Sequence, residues 1–379
     1  MSHPPLSWSR LVAVMIKELI QMRRDRLTFA MMVGIPVLQL LLFGYAINTD
    51  PKDMPTIVNI EEAGPFAREL TAAMTNSAYF RITAQAKSEA EIERLLAAGE
   101  VQFVVTVPAG FERALVRGER PALLVEADAT DPAAASNAVN ALLALVRTAF
   151  DPALTGPLAA RKGGADPVEL RIHRRYNPEG ITQYNIVPGL MGVILTMTMI
   201  MATSLTVTRE RERGTMEALL AMPVRPSEVM AGKILPYFGV GYVQVVLIVA
   251  AGRWLFHVPI IGSLPLLGLS LLLFIAANLA VGFTISTVVK NQLQALQMSF
   301  FFFLPSMLLS GFMFPYRGMP QWAQLIGEVF PLTHFLRVIR GIMLKGNGIA
   351  EIWPEMWPIA LFLTLATVVA LRRYRMTLD

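Results

Sequence analysis

The chain of 379 residues is 54% hydrophobic and only 16% charged, well below the roughly 25% charge of a soluble domain. This makes a bilayer its natural solvent and excludes an ordinary water-soluble enzyme. The net charge of +5 is unevenly placed: residues 48–183 hold 18 acidic against 14 basic residues, so the surplus lies elsewhere and follows membrane orientation, not nucleic-acid binding.

In residues 1–27, Trp8, Leu11, Val12, Met15, Leu19 and Met22 recur at helical spacing, with Arg10, Lys17, Gln21 and Arg24 on another face. That pattern predicts a helix in the membrane interface, or a plain cytoplasmic extension of the first span. The start lacks the early apolar core and small-residue cleavage site of a signal peptide, so span 28–47 is expected to be an uncleaved anchor.

A bilayer-crossing helix needs ~20 mainly apolar residues, and about six segments qualify: 28–47, 184–208, 234–256, 264–289, 293–314 and 356–371. The expected fold is an α-helical membrane protein of about six transmembrane helices, with an extracytoplasmic α/β domain inserted after the first. Lys and Arg crowd one side of the short loops, at Arg23, Arg24, Arg26, Arg209, Arg211, Arg213, Lys290, Arg372 and Arg373. Positive loops stay inside, so both termini are placed in the cytoplasm and 48–183 outside.

Within 48–183, β-prone runs at 56–60, 79–83, 102–107 and 122–127 alternate with predicted helices at 88–98, 110–116 and 131–150. Ser88-Glu89-Ala90-Glu91 has capping-box spacing, and Asp131-Pro132 puts proline at a first helical position. Arg161-Lys162-Gly163-Gly164 reads as a mobile connector. Residues 184–379 then hold the remaining spans, with a proline-interrupted amphiphilic stretch at 315–345 expected to form outer re-entrant helices, or a plain external loop.

Searches for chemistry return little. There is no P-loop; Gly232-Lys233-Ile234 lacks the upstream glycine and the hydroxyl. His3, His173, His257 and His334 are scattered without metal-ligand spacing, and the absence of cysteine leaves no disulfide or thiolate site. No catalytic residue, metal or bound cofactor is expected of this chain. The six segments contain no Asp or Glu, which disfavours an ion-coupled pump. Their mild polarity offers Gln39, Thr198, Asn278 and Gln297 as candidates for lining a substrate passage, or for bonding one helix to the next.

The positive signal is the hairpin of 209–228. Arg209-Glu210-Arg211-Glu212-Arg213-Gly214 cannot enter hydrocarbon, and Thr215 to Met222 predicts a short helix stopped by Pro223. Its Met216, Leu219 and Leu220 form a small apolar face in a charged rim: a docking knob for another protein, or a membrane-surface helix.

The string Arg209 to Val224, with Pro226, Glu228 and Lys233, resembles the segment after the second span of ABC-2 type permeases. Leu95-Leu96-Ala97-Ala98-Gly99, Val107-Pro108-Ala109-Gly110-Phe111 and Gly118-Glu119-Arg120-Pro121 are similar to the external domain of the drug-export branch, and Leu309-Ser310-Gly311, Phe314-Pro315, Met319-Pro320, Trp322, Pro331 and Arg340 to its outer re-entrant segment. The sequence departs from that pattern after Asp128, where Ala129 replaces the usual Gly or Ser.

The resemblance implies a permease subunit of an ATP-driven exporter of amphipathic, drug-like or lipid-like substrates in a bacterial inner membrane. Arg209, Glu210, Arg213, Gly214, Thr215, Glu217, Leu219, Leu220 and Pro223 would couple it to a separate ABC ATPase, which holds the ATP and Mg. A second permease subunit and a periplasmic adaptor are the other implied partners. A membrane-anchored receptor or scaffold, or an ion antiporter subunit, is the alternative.

Overall fold

The computed structural model describes residues 52–84, 88–155, 167–212 and 226–373. The first two segments of the sequence reading, 1–27 and 28–47 with Gln39, lie outside them. So does the Arg161-Lys162-Gly163-Gly164 connector.

The α/β unit is a five-stranded sheet. Its elements in chain order are β1 (Met54–Ile60), α1 (Pro65–Asn76), β2 (Phe80–Ala84), α2 (Glu89–Ala98), β3 (Phe103–Val107), α3 (Phe111–Arg117), β4 (Ala122–Asp128), α4 (Pro132–Ala149) and β5 (Glu169–Arg175). The strand order is β2-β1-β3-β4-β5. Only the β3–β4 pair is antiparallel.

Side chains of a strand alternate between faces, and both faces are covered. Met54, Val58, Phe103, Val105, Leu123 and Val125 meet α1, α3 and α4 in the larger core, where Phe66 and Phe150 pack edge to face at 6.1 Å. Ile57 and Val104 turn the other way, onto Ile92 and Leu96 of α2. Ser88 caps α2, its Oγ accepting from the Glu91 amide at 3.2 Å. Asp131 caps α4 by accepting from the Ala133 and Ala134 amides.

Two elements depart from the sequence reading. Helix α1 has a proline at its start and buries Phe66, Leu70 and Met74. Strand β5, Glu-Leu-Arg-Ile-His-Arg-Arg, runs parallel to β4 at the sheet edge. Only Leu170 and Ile172 of β5 reach the core, so its charged face hid the alternation.

The helical part comprises α5 (Thr182–Glu212), α6 (Pro226–Leu255), α7 (Leu264–Val288), α8 (Gln292–Leu309), α9 (Gln321–Gly327), α10 (Pro331–Arg340) and α11 (Ile349–Arg373), with a 3₁₀ turn at Tyr316–Gly318 and a π turn at Gly341–Lys345. Five of these, α5 to α8 and α11, are long and apolar enough to cross a membrane.

Two boundaries are corrected. The segment expected at 293–314 ends as a helix at Leu309, where Ser310 and Gly311 turn the chain; Gly311 has φ +81°. The segment expected at 356–371 belongs to a helix that starts at Ile349 and therefore carries Glu351 and Glu355. Hydropathy placed the boundary where apolar residues begin, while the backbone was already helical a full two turns earlier.

Helix α7 is the hub, packed between α5 and α11. Helices in lipid associate by close van der Waals packing and hydrogen bonds, since the tails are as apolar as the side chains. A Cβ on Gly282 of α7 would sit 2.6 Å from the Ile200 carbonyl oxygen of α5, so only glycine permits this approach. Ser204 and Ser299 share a hydroxyl hydrogen bond at 2.9 Å between α5 and α8, and Tyr242 of α6 donates to the Gly268 carbonyl of α7 at 2.8 Å. Phe274 of α7 stacks on Phe335 of α10 at 3.9 Å.

Candidate functional site

At the end of α5 remote from the α/β unit, Arg209 Nε donates to Gln292 Oε1 at 3.3 Å, and the Gln292 amide donates to Glu212 Oε1 at 2.7 Å. Arg209 to Glu212 continue the helix, and Arg209 and Glu212 tie it to the start of α8. Glu210 lies within α5. Arg213, Gly214, Thr215, Glu217, Leu219, Leu220 and Pro223 fall outside the described residues.

The passage candidates are not brought together by hydrogen bonding. Thr198 Oγ1 donates to the Ile194 carbonyl at 2.7 Å and to Gln244 Oε1 of α6 at 3.0 Å. Asn278 is fully buried in α7 and donates to the Phe274 carbonyl at 2.9 Å. Asn278 Oδ1 and Gln297 Oε1 are buried without a partner among the described residues.

The densest polar chemistry lies at the opposite end, where α10 meets the α/β unit. Pro331 starts α10, and its Leu332, Phe335, Leu336 and Ile339 are buried in the bundle core. His334, Arg337 and Arg340 recur every three residues and so share another face. His334 Nδ1 lies 2.6 Å from Glu355 Oε2, and Nε2 lies 2.8 Å from the Glu328 carbonyl oxygen. With an acceptor at both ring nitrogens, both must carry protons, which makes the ring cationic. Arg337 donates to both Glu328 and Glu355, and Tyr316 donates to Glu328 Oε1 at 2.6 Å. The guanidinium also lies 4.7 Å from the centre of the Tyr316 ring.

Two carboxylates and two cations thus neutralise one another. Burial opposes the charged form of His334, but the bonds to Glu355 and the Glu328 carbonyl outweigh it and raise its pKa. Burial likewise works against the Glu328 carboxylate, and Arg337 overcomes it to leave the pKa lowered. The histidine read as isolated in sequence therefore has two carboxylate neighbours. Glu328, His334 and Glu355 place donor atoms within 4.8 Å of one another, a set able to hold a cation. Here Arg337 already supplies positive charge to both carboxylates.

The π turn then clamps the α/β unit. Lys345 Nζ donates to Asp128 Oδ2 at 2.6 Å and to the Leu96 carbonyl at 3.0 Å, while Asn347 Nδ2 donates to the Ala97 carbonyl at 3.0 Å. Those carbonyls are the free end of α2, which closes at Gly99 with φ +73°. A cation there also meets the negative end of the helix dipole. Asp128 is fixed from the other side by the Thr130 amide and hydroxyl.

Between these groups lies a cavity of about 440 Å³. One wall is Ala97–Gly99 with Asp128, Thr130 and Asp131 of the α/β unit; the other is Ser310, Tyr316, Arg317, Arg337, Arg340 and Glu355. Sequence reasoning missed this site, because each charge is unremarkable alone. The three-residue recurrence of His334, Arg337 and Arg340 in an otherwise apolar helix was the available signal.

The chain matches the family profile described as ABC-2 family transporter protein over residues 26–372. It is 32% identical over 92% of each chain to the "Probable multidrug ABC transporter permease YbhS" of Escherichia coli (strain K12). To the "Probable multidrug ABC transporter permease YbhR" of the same organism it is 29% identical, over 92% of this chain and 94% of the relative. To "ABC transporter G family member 20" of Dictyostelium discoideum it is 24% identical, over 95% of this chain and 50% of that protein. These matches run through the α/β unit, the clamp and the bundle alike. The chain belongs to the ABC-2 family transporter proteins: it is a multi-pass membrane transport subunit and not an enzyme, and the ATPase of such a transporter is a separate subunit.

Proposed function

We propose that this chain is the permease subunit of an ABC-2 exporter in a bacterial inner membrane, with both termini cytoplasmic and the α/β unit outside. The observation that carries the reading is collinear likeness to two permeases over 92% of the chain. Both relatives are named as probable multidrug permeases, which favours drug-like or amphipathic cargo here. The cargo would leave from the cytoplasm or the inner leaflet.

Two permease subunits, alike or related, would enclose the route. Helices α6 and α11 leave apolar residues such as Val246, Leu247, Trp357 and Leu365 exposed, surface suited to lipid or to the second subunit. A periplasmic adaptor would be the further partner.

In this reading the segment 209–228 seats in a cleft of the ABC ATPase. ATP and Mg bind there, on the partner; movement of the ATPase pair reaches the bundle through α5 and the Gln292 contact at the start of α8. Cargo must bind the two conformations unequally, since without differential affinity the motion moves nothing uphill.

The test is reconstitution of the permease with its ATPase, followed by Glu217→Ala and Leu220→Ala. Export should fall while ATP hydrolysis persists or loses its response to cargo. Normal coupling in both variants would remove the role assigned to the hairpin.

A further inference from the structure

We propose that the cavity between the α/β unit and α10 binds the anionic headgroup of an amphiphile, with Arg340 meeting the negative charge. The proposal goes beyond export; it rests on the permease reading only for its biological use, because binding is measured without ATP.

Among the described residues, hydrogen-bonding capacity in the cavity wall is filled on the acids and left open on two of the cations. Every acid lining it is engaged by nearby groups. Asp128 is held by Lys345 and Thr130, and Asp131 by the first amides of α4. Glu328 and Glu355 are held by Arg337, His334 and Tyr316, and Glu351 accepts from the Gly348 amide.

Two lining cations are not matched in this way. Arg340 donates only to the Gly311 carbonyl, at 3.3 Å and 3.4 Å, and its Nε is buried with no partner among the described residues. Arg317 forms no ion pair among the described residues; Arg337 and Arg81 act on it as like charges, and Glu328 offsets them in part. A guanidinium offers five N–H donors in a fork that suits a carboxylate or phosphate. One carbonyl leaves most of that capacity unused, and an incoming anion would fill it. Burial lowers the pKa of Arg340, with Asp131 and Asp128 only partly offsetting it.

Helix α9 offers surface to the apolar part of the ligand. Leu325 lines the cavity and is 65% exposed, and Trp322 lies exposed one turn earlier in the same helix. A chain attached to a headgroup at Arg340 can lie along this strip. The volume of about 440 Å³ is within the range of sites for small ligands.

The experiment uses the full-length protein in nanodiscs of zwitterionic lipid, without nucleotide, and titrates a fluorescent undecanoate. Its amide and trimethylammonium analogues are the neutral and cationic controls. The carboxylate should bind at least about tenfold more tightly than either, and Arg340→Gln should remove that preference. Ala134→Leu narrows the cavity from the α4 wall without touching Arg340 and should also weaken binding; thermal unfolding confirms that both variants fold. Unlabelled decanoate should displace the probe where inorganic phosphate does not.

Equal affinity for the three headgroups, unchanged binding in both variants, or displacement by phosphate as effective as by decanoate would each overturn the proposal. None of these results bears on ATPase coupling through 209–228, and loss of that coupling would leave the binding result standing.

Discussion

Asp128 and Lys345 are 217 residues apart in the chain and 2.6 Å apart in the fold, each with under a tenth of its side chain exposed. The pair joins the last residue of β4 to the π turn after α10. It is the most enclosed ionic link described between the α/β unit and the helical bundle.

Breaking a buried pair by removing one partner strands the other charge and costs about 3–5 kcal/mol. Lys345→Met should therefore loosen the docking of the α/β unit. Hydrogen exchange should rise at the end of α2 and in the π turn, while the sheet core stays protected. Combining it with Asp128→Asn should recover part of the loss, because no unpaired charge then remains; a double-mutant cycle reads the coupling.

The His334 cluster gives a pH signature. The folded pKa of His334 is raised above its ordinary value of 6.5. Its contribution is therefore fully present below that value and is lost as pH rises through the folded pKa. Thermal stability followed upward from neutral pH should decline in the wild type, and His334→Gln should flatten that part of the profile. Identical profiles would show that the imidazolium is not held by Glu355 and the Glu328 carbonyl.

At the acid end the sign reverses. Glu328 has a lowered pKa, so its contribution is present above the ordinary 4.5 and disappears as pH falls through the folded value. Glu328→Gln should reduce stability near neutrality and weaken the acid dependence. The measurement is the same thermal profile extended to low pH.

Gly282→Leu should open the α5–α7 contact. Its side chain would begin 2.6 Å from a backbone oxygen that cannot rotate away. Overpacking of this kind costs about 1–3 kcal/mol or more, and the midpoint of thermal unfolding should drop. Gly268→Leu, where a Cβ meets nothing within 4 Å, is the matched control and should leave the midpoint close to wild type.

The Gln292 contact tests transmission. Gln292→Ala removes the side-chain bonds to Arg209 and Glu212 from a half-exposed position and keeps the backbone amide bond to Glu212. Stability should change little. In the reconstituted complex, cargo-stimulated ATP hydrolysis should fall, since one backbone bond then ties the end of α5 to α8 in place of three contacts. Unchanged stimulation would place the transmission route elsewhere.

The elements that sequence revealed are those whose physics is local. Apolar runs long enough for a bilayer, the alternation of β1, β3 and β4, the Ser88 and Asp131 caps and the glycine after α2 all act within a few residues. Helix α1 and strand β5 were not legible, because a charged or mixed face masks their period. The start of α11 was misplaced because hydropathy reports solvent preference and not backbone conformation, so Glu355 was left outside the membrane helix.

By itself the sequence determined that the chain is a membrane protein with an α/β insert, and its ordered motifs carried the likeness to ABC-2 permeases. Only the tertiary structure decided which charges meet. Glu328, His334, Arg337 and Glu355 form one neutral cluster, Asp128 finds Lys345, and Arg340 faces a cavity with no acid bonded to its guanidinium among the described residues. The reason is physical: a helix period is written in neighbouring residues, whereas the partner of a buried charge is set by packing between segments that here lie 217 positions apart.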